Sequence, residues 1–222
     1  MSELVEVGRY QRDLGAALER LIENALDWEH LPHLHDSSFS SIKVLAHGPD
    51  GWRAAARLAN GSAITLDLAL DGASWVTRTY VGDRLATEIR SDAEATGPDS
   101  CRVHVRFLIA DLAPKKRAVA GERYRASYKR LYEEDERMMI ARAEAIRRGP
   151  AALKLRRTAR LPDGTPVQTP VYCPHQGLPL EAEPDAEGTI TCPWHGYRVD
   201  VHTGRCTPPA RALNAERALP GV

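Results

Sequence analysis

Cys173-Pro-His175 and Cys192-Pro-Trp-His195 decide how this chain is read. They form a C-x-H and a C-x-x-H with sixteen residues between them. Each short stretch supplies one thiol and one imidazole. A zinc ribbon repeats C-x-x-C, and a plant-type ferredoxin uses four thiolates. A thiol and an imidazole from each of two loops instead suit a 2Fe–2S centre, in which one iron takes both thiolates and the other both imidazoles. A Cys2His2 structural zinc site is the alternative that the same residue types can build. Neutral imidazoles leave less negative charge on a cluster than thiolates do, and so raise its potential. Immediately outward, Gly177 and Gly196 follow the two stretches. Glycine permits φ > 0 and lets backbone N–H groups approach sulfur, as tight cluster loops require.

Extended to Cys173-Pro-His175-Gln-Gly177 and Cys192-Pro-Trp-His195-Gly196-Tyr197, the loops resemble those of Rieske ferredoxins and Rieske oxygenases nearly letter for letter. The resemblance implies that Cys173, His175, Cys192 and His195 hold a Rieske 2Fe–2S cluster. Respiratory-chain Rieske proteins carry an extra, disulfide-forming Cys in each loop; Leu178 and Trp194 hold those places here. A Ser that follows His-Gly in that type, and donates to a cluster sulfur, is Tyr197 here. Such donors tune the potential, so the resemblance is to the lower-potential class that feeds oxygenases.

The chain has 222 residues, enough for two small domains. Thirty basic and thirty acidic side chains give zero formal charge, which points to neither nucleic acid nor an acidic surface. Met1-Ser-Glu-Leu-Val-Glu-Val has no basic n-region and no apolar h-region, so no export signal is expected. No apolar run approaches the roughly 20 residues that span a bilayer. The two remaining cysteines, Cys101 and Cys206, suit a reducing, cytoplasmic compartment.

Leu14, Leu18, Leu21, Ile22 and Ala25 fall at helical spacing and predict a helix over 11–26, with Pro32 as its end or a kink. Ser40–Ala46, Trp52–Leu58, Ala63–Leu70, Trp75–Val81, Ala86–Arg90 and Arg102–Ala110 read as strands. Pro49-Asp-Gly51, Asn60-Gly61 and Asp71-Gly72 read as hairpin turns between them. Residues 114–148 return to a long helical pattern, opened by Pro114 and closed by Gly149-Pro150. This is an α+β plan. It resembles the helix-grip (START/Bet v 1-like) fold, an antiparallel sheet around a long C-terminal helix, which Rieske oxygenases use for their catalytic domain. The expected domains are 1–150, helix-grip, and 151–222, a small all-β Rieske domain.

A second motif lies in Asn24-Ala-Leu-Asp27-Trp-Glu-His30-Leu-Pro-His33-Leu-His35. It is similar to the N-x-x-D-x-x-H-x4-H pattern of Rieske oxygenase catalytic domains. The resemblance implies that His30 and His35 bind a mononuclear ferrous iron and that Asp27 bridges it to the Rieske centre. Residues five apart on an unbroken helix lie about 140° apart, so convergence needs the break at Pro32. His33, three residues from His30, competes for the assignment. A carboxylate normally completes such a site. Asp135 lies near the middle of a stripe of Tyr124, Tyr128, Leu131, Met138 and Met139, where burying a carboxylate is costly unless it is paired or metal-bound. Glu133 and Glu134 point elsewhere on that wheel, and Asp111 is a weaker substitute.

The function implied is an oxygenase in which the 2Fe–2S cluster feeds electrons to the mononuclear iron, oxidising a hydrophobic small molecule by hydroxylation or demethylation. The alternative is a Rieske ferredoxin-like electron carrier fused to an apolar-ligand-binding domain without catalytic iron. Electrons would come from NAD(P)H through a partner reductase or ferredoxin, since the chain shows no flavin or nicotinamide fingerprint. Relative to most of the family the domain order is reversed. The family's head-to-tail trimer implies a homo-oligomer here.

Overall fold

The computed structural model describes residues 3–209. Short alternating stretches punctuated by Gly-containing turns fold as consecutive hairpins, because each turn returns the chain beside the strand it has just left. β1 is Leu4–Leu14, followed by α1 (Leu18–Leu26) and a single turn, α2 (Leu31–Leu34). The hairpin series is β2 (Phe39–Gly48), β3 (Gly51–Leu58), β4 (Ala63–Asp71), β5 (Ser74–Val81), β6 (Arg84–Gly97) and β7 (Ser100–Ala110). α3 then runs over Pro114–Arg148. All seven strands form one antiparallel sheet in the order β1-β7-β6-β5-β4-β3-β2.

The helix expected over 11–26 is corrected at its start. Residues 11–14 belong to β1, which pairs with β7 from Leu4↔Ala110 to Leu14↔Cys101. The helical spacing of Leu14 with Leu18 is real, but it crosses the strand-to-helix junction at Gly15. The partner that makes β1 a strand is some ninety residues away in the chain, out of reach of a local pattern. Pro32 also does something different from ending that helix. α1 stops at Leu26, and Pro32 lies in the first turn of α2.

α3 packs across one face of the sheet. Tyr124 and Tyr128 lie 5.2 and 4.9 Å, ring to ring, from Phe107 of β7. Tyr132 and Met139 join the same core as Trp52, Leu66, Leu68 and Trp75. The helix crosses β1 at Gly121, where an added Cβ would lie 2.1 Å from the Val7 carbonyl oxygen. That neighbour is backbone and cannot swing away. Gly121→Ala should therefore destabilise the protein by about 1–3 kcal/mol. An unchanged urea midpoint would mean that α3 crosses β1 less closely than described.

Gly149 caps α3 at its C-terminus and a 3-10 turn follows at Pro150–Lys154. Five short strands come next: β8 (Arg156–Arg160), β9 (Pro166–Pro170), β10 (Thr189–Thr191), β11 (Arg198–Asp200) and β12 (Cys206–Thr207). They form a two-stranded and a three-stranded sheet. A separate core of Cys173, Leu180, Ile190, Cys192, Val199 and Val201 sits among them. Residues 210–222 of the expected second domain lie outside the described residues. Among the described residues, no helix is long and apolar enough to cross a membrane.

Candidate metal centres

The two Cys/His loops are built alike. In the first, the N–H of Gly177 donates to the Cys173 carbonyl (2.8 Å) and that of Cys173 to the Leu178 carbonyl (2.8 Å). In the second, Gly196 donates to Cys192 (2.9 Å) and Cys192 to Tyr197 (2.8 Å). Closing so tight a turn puts Gly177 and Gly196 at φ of 74° and 69°, the left-handed region that favours glycine. Cys173 and Cys192 are buried free thiols. They share a hydrogen bond that pushes Cys192 down and Cys173 up; the neighbouring His195 lowers Cys192 further.

The rings of His175 and His195 stand edge to face, 5.0 Å apart. The Nδ1 atoms of both are buried without a hydrogen-bond partner. Native interiors rarely leave buried ring nitrogens unpaired. Two buried thiols and two orphaned imidazole nitrogens on matched loops are the donor set a Rieske 2Fe–2S cluster needs, so these residues fit that group.

The opposite edges of the imidazoles face the first part of the chain. His195 Nε2 lies 2.7 Å from Asp27 Oδ2. Desolvation disfavours charge on His195, but the hydrogen bond to Asp27 and the neighbouring Cys192 thiol outweigh it and lift the ring to about 9. Desolvation likewise works against Asp27, but the hydrogen bond from His195 and the nearby His30 ring hold its carboxyl well below the usual range. His175 Nε2 lies 3.7 Å from Glu29 Oε2. Burial, then the charge of His195, pushes His175 down to about 4.

A second cluster of donors lies beyond Asp27. One nitrogen each from His30 and His35 and one Asp135 oxygen all fall within 4.8 Å of one another. His30 Nε2 is 3.5 Å and His35 Nε2 3.0 Å from Asp135 Oδ1. All three residues are buried, at 3%, 2% and 7% exposure. The convergence that an unbroken helix forbids is produced by α2, a single turn with His30 and His35 as its two caps. The ring of His33 instead lies over Gly196, where an added Cβ would come 2.2 Å from His33 Cε1. Asp111 is exposed at the β7–α3 turn, its Oδ1 accepting from the Glu3 N–H (3.2 Å); it is not among the converging donors.

Glu134 corrects the wheel reading, because its long side chain reaches round the helix to place Oε2 2.6 Å from His35 Nδ1. Desolvation opposes charge on His35, yet the bonds to Asp135 and Glu134 lift it above its ordinary value. Asn24 donates to Asp135 Oδ1 at 3.2 Å. Asp27 Oδ2 lies 3.9 Å from His30 Nδ1, so one carboxylate faces both donor groups. With two imidazoles and a carboxylate converging, these residues fit a ferrous ion. Glu29 escaped the motif reading, because i, i+2 spacing in a non-helical stretch carries no periodic signal. Cys101 is buried in the main core, where desolvation pushes its thiol up to about 11.

His30, His35 and Asp135 form part of the wall of a cavity of about 600 Å³. Trp52, Trp75, Leu66, Leu68 and Ile89 supply much of the remaining lining. Hydroxyls come from residues such as Thr77, Thr79 and Tyr128. Among the described residues, the lining includes no Lys or Arg.

The sequence profile of the Rieske [2Fe-2S] domain family matches residues 128–215, beginning inside α3. No curated protein matches the chain. Among solved structures, the chain is similar to the Zhui aromatase/cyclase of Streptomyces sp. R1128, at 10% identity and a TM-score of 0.51, over 65% of this chain and 98% of that one. A START superfamily protein from Mycobacterium smegmatis is similar at 19% identity and a TM-score of 0.45, over 61% and 98%. A truncated norcoclaurine synthase from Thalictrum flavum is similar at 13% identity and a TM-score of 0.47, over 62% and 93%. Identities this low speak to fold alone. The large antiparallel sheet gripping α3 is a helix-grip, START-like fold. The match to the Rieske [2Fe-2S] domain family over residues 128–215, which takes in the second half of α3 and both Cys/His loops, suggests an iron–sulfur electron-transfer role.

Proposed function

We propose that this chain is a Rieske-type oxygenase acting on a neutral, hydrophobic small molecule. The observation that carries this reading is the convergence of His30, His35 and Asp135 on the wall of an apolar cavity, with Asp27 between them and the cluster loops. Cys173, Cys192, His175 and His195 would hold the 2Fe–2S cluster. His30, His35 and Asp135 would hold a ferrous ion. The chemistry these groups supply when bound is one-electron transfer and dioxygen activation.

The protein's own residues position and shield. Glu134 accepts from His35 Nδ1–H, which leaves the Nε2 lone pair for the metal. Asn24 orients Asp135 by donating to Oδ1. Asp27 accepts from His195 Nε2–H and holds that ring edge beside His30. Trp52, Trp75 and the aliphatic lining exclude water and take an apolar substrate body. With no Lys or Arg among the described lining residues, an anionic substrate is disfavoured. A reductase or ferredoxin carrying electrons from NAD(P)H completes the system.

The test is iron and acid-labile sulfide in anaerobically purified, ferrous-reconstituted protein. The expected result is about three irons to two sulfides per chain. Equal iron and sulfide after reconstitution would withdraw the mononuclear site and leave a Rieske electron carrier fused to a ligand-binding fold.

A further inference from the structure

Two carboxylates two residues apart, Asp27 and Glu29, face the two cluster imidazoles of the same chain. Asp27 Oδ2 lies 2.7 Å from His195 Nε2, and Glu29 Oε2 lies 3.7 Å from His175 Nε2. Glu29 is fixed from a second side, since the Tyr197 hydroxyl donates to Oε2 at 3.3 Å. The Tyr197 ring is in turn stacked on His175, with centroids 3.9 Å apart and planes 10° from parallel.

The surfaces around this pair are fitted to each other. Gly196 leaves room for the His33 ring, which any Cβ would strike. Arg142 of α3 donates through Nη1 to the Gln176 carbonyl of the first cluster loop at 2.9 Å and through Nε to Glu23 of α1 at 3.1 Å. Arg148 lies over the Tyr172 ring, 4.2 Å from its centroid. A Cβ on Gly177 would sit 3.1 Å from the Ala145 Cβ. Both cluster loops are therefore seated on the 27–33 segment and the end of α3.

We propose that Asp27 and Glu29 together seat both imidazoles of their own chain's Rieske centre, so that a single chain joins the cluster to the cavity site without a second copy. Glu29 is a positioning residue in this arrangement, acting through His175 and Tyr197. The proposal rests on the Rieske centre but not on iron binding at His30, His35 and Asp135.

The experiment reads the midpoint potential of the cluster. A carboxylate beside a ligating imidazole favours the more positive, oxidised cluster, so removing its charge raises the potential. Asp27→Asn and Glu29→Gln should each shift it upward, and the double variant further. No shift in Glu29→Gln would remove Glu29 from the arrangement.

The single-chain claim is tested by co-expressing two full-length chains. One carries Asp27→Asn with intact cluster ligands; the other carries Cys173→Ser and Cys192→Ser with Asp27 intact. The cluster in the first chain should keep the shifted potential. A return to the wild-type value would show that Asp27 is supplied by another copy, and would overturn the proposal. The wild-type potential measured down a dilution series, with mass by light scattering, serves if the cluster-free chain does not fold. It should stay constant into the monomer; a rise towards the Asp27→Asn value on dissociation would overturn the proposal equally. Neither readout involves the cavity site, so failure of the oxygenase reading is seen separately, in iron content.

Discussion

Replacing Asp135 with Ala is expected to lower the reconstituted iron content from about three to about two per chain while leaving sulfide unchanged. His30 and His35 would remain, but two neutral imidazoles without a carboxylate neither balance the ion's charge nor complete the facial set. Oxygen-dependent turnover should fall by at least about 100-fold, since loss even of outer partners of metal ligands costs about 10–100-fold. A second readout needs no substrate. Ferrous ion binds the folded site and not the unfolded chain, so it should raise the melting temperature of the wild type. It should have little effect on Asp135→Ala. A variant that retains full iron, or is stabilised by it as well as the wild type is, would remove Asp135 from the ligand set.

Asp27→Asn is expected to leave iron and sulfide contents intact and to slow turnover by about 10–100-fold. The side chain keeps an oxygen that accepts from His195 Nε2–H, so the two donor sets stay in place. What disappears is the negative charge, 2.7 Å from His195 Nε2 and 3.9 Å from His30 Nδ1. The loss should appear in kcat more than in KM, because Asp27 stands between the two donor sets and, in the proposed enzyme, substrate binding would rest mainly on the apolar lining. Unchanged turnover, with the cluster potential also unchanged, would reduce Asp27 to a packing contact.

Much of this arrangement is legible in the chain because its signals are local. The cluster loops carry their ligand types and turn glycines within a few residues, so no distant partner is needed to recognise them. The hairpins from β2 to β7 and the 35-residue helix α3 follow from alternation, turn residues and helical periodicity. Asp135 stands out because a carboxylate on an apolar stripe demands a partner or a metal. The Asp27/His30/His35 spacing is legible only by resemblance, since regular helical geometry alone separates the two histidines.

What only the tertiary structure decided depends on contacts between residues far apart in the chain. Residues 11–14 are strand because β7 offers them a ladder. Glu134 reaches His35, against the wheel, because side-chain length and the approach of α2 matter more than angle around the axis. His33 is distinguished from His35 by Gly196, more than 150 residues later, which gives the His33 ring a place of its own. Glu29 and Arg142 acquire roles only when the cluster loops dock beside them. Local pattern thus specifies which donors exist and on which elements they stand. Their convergence, and the meeting of Asp27 with its own chain's His195, is set by how the sheet, α3 and the cluster loops pack, which no window along the chain contains.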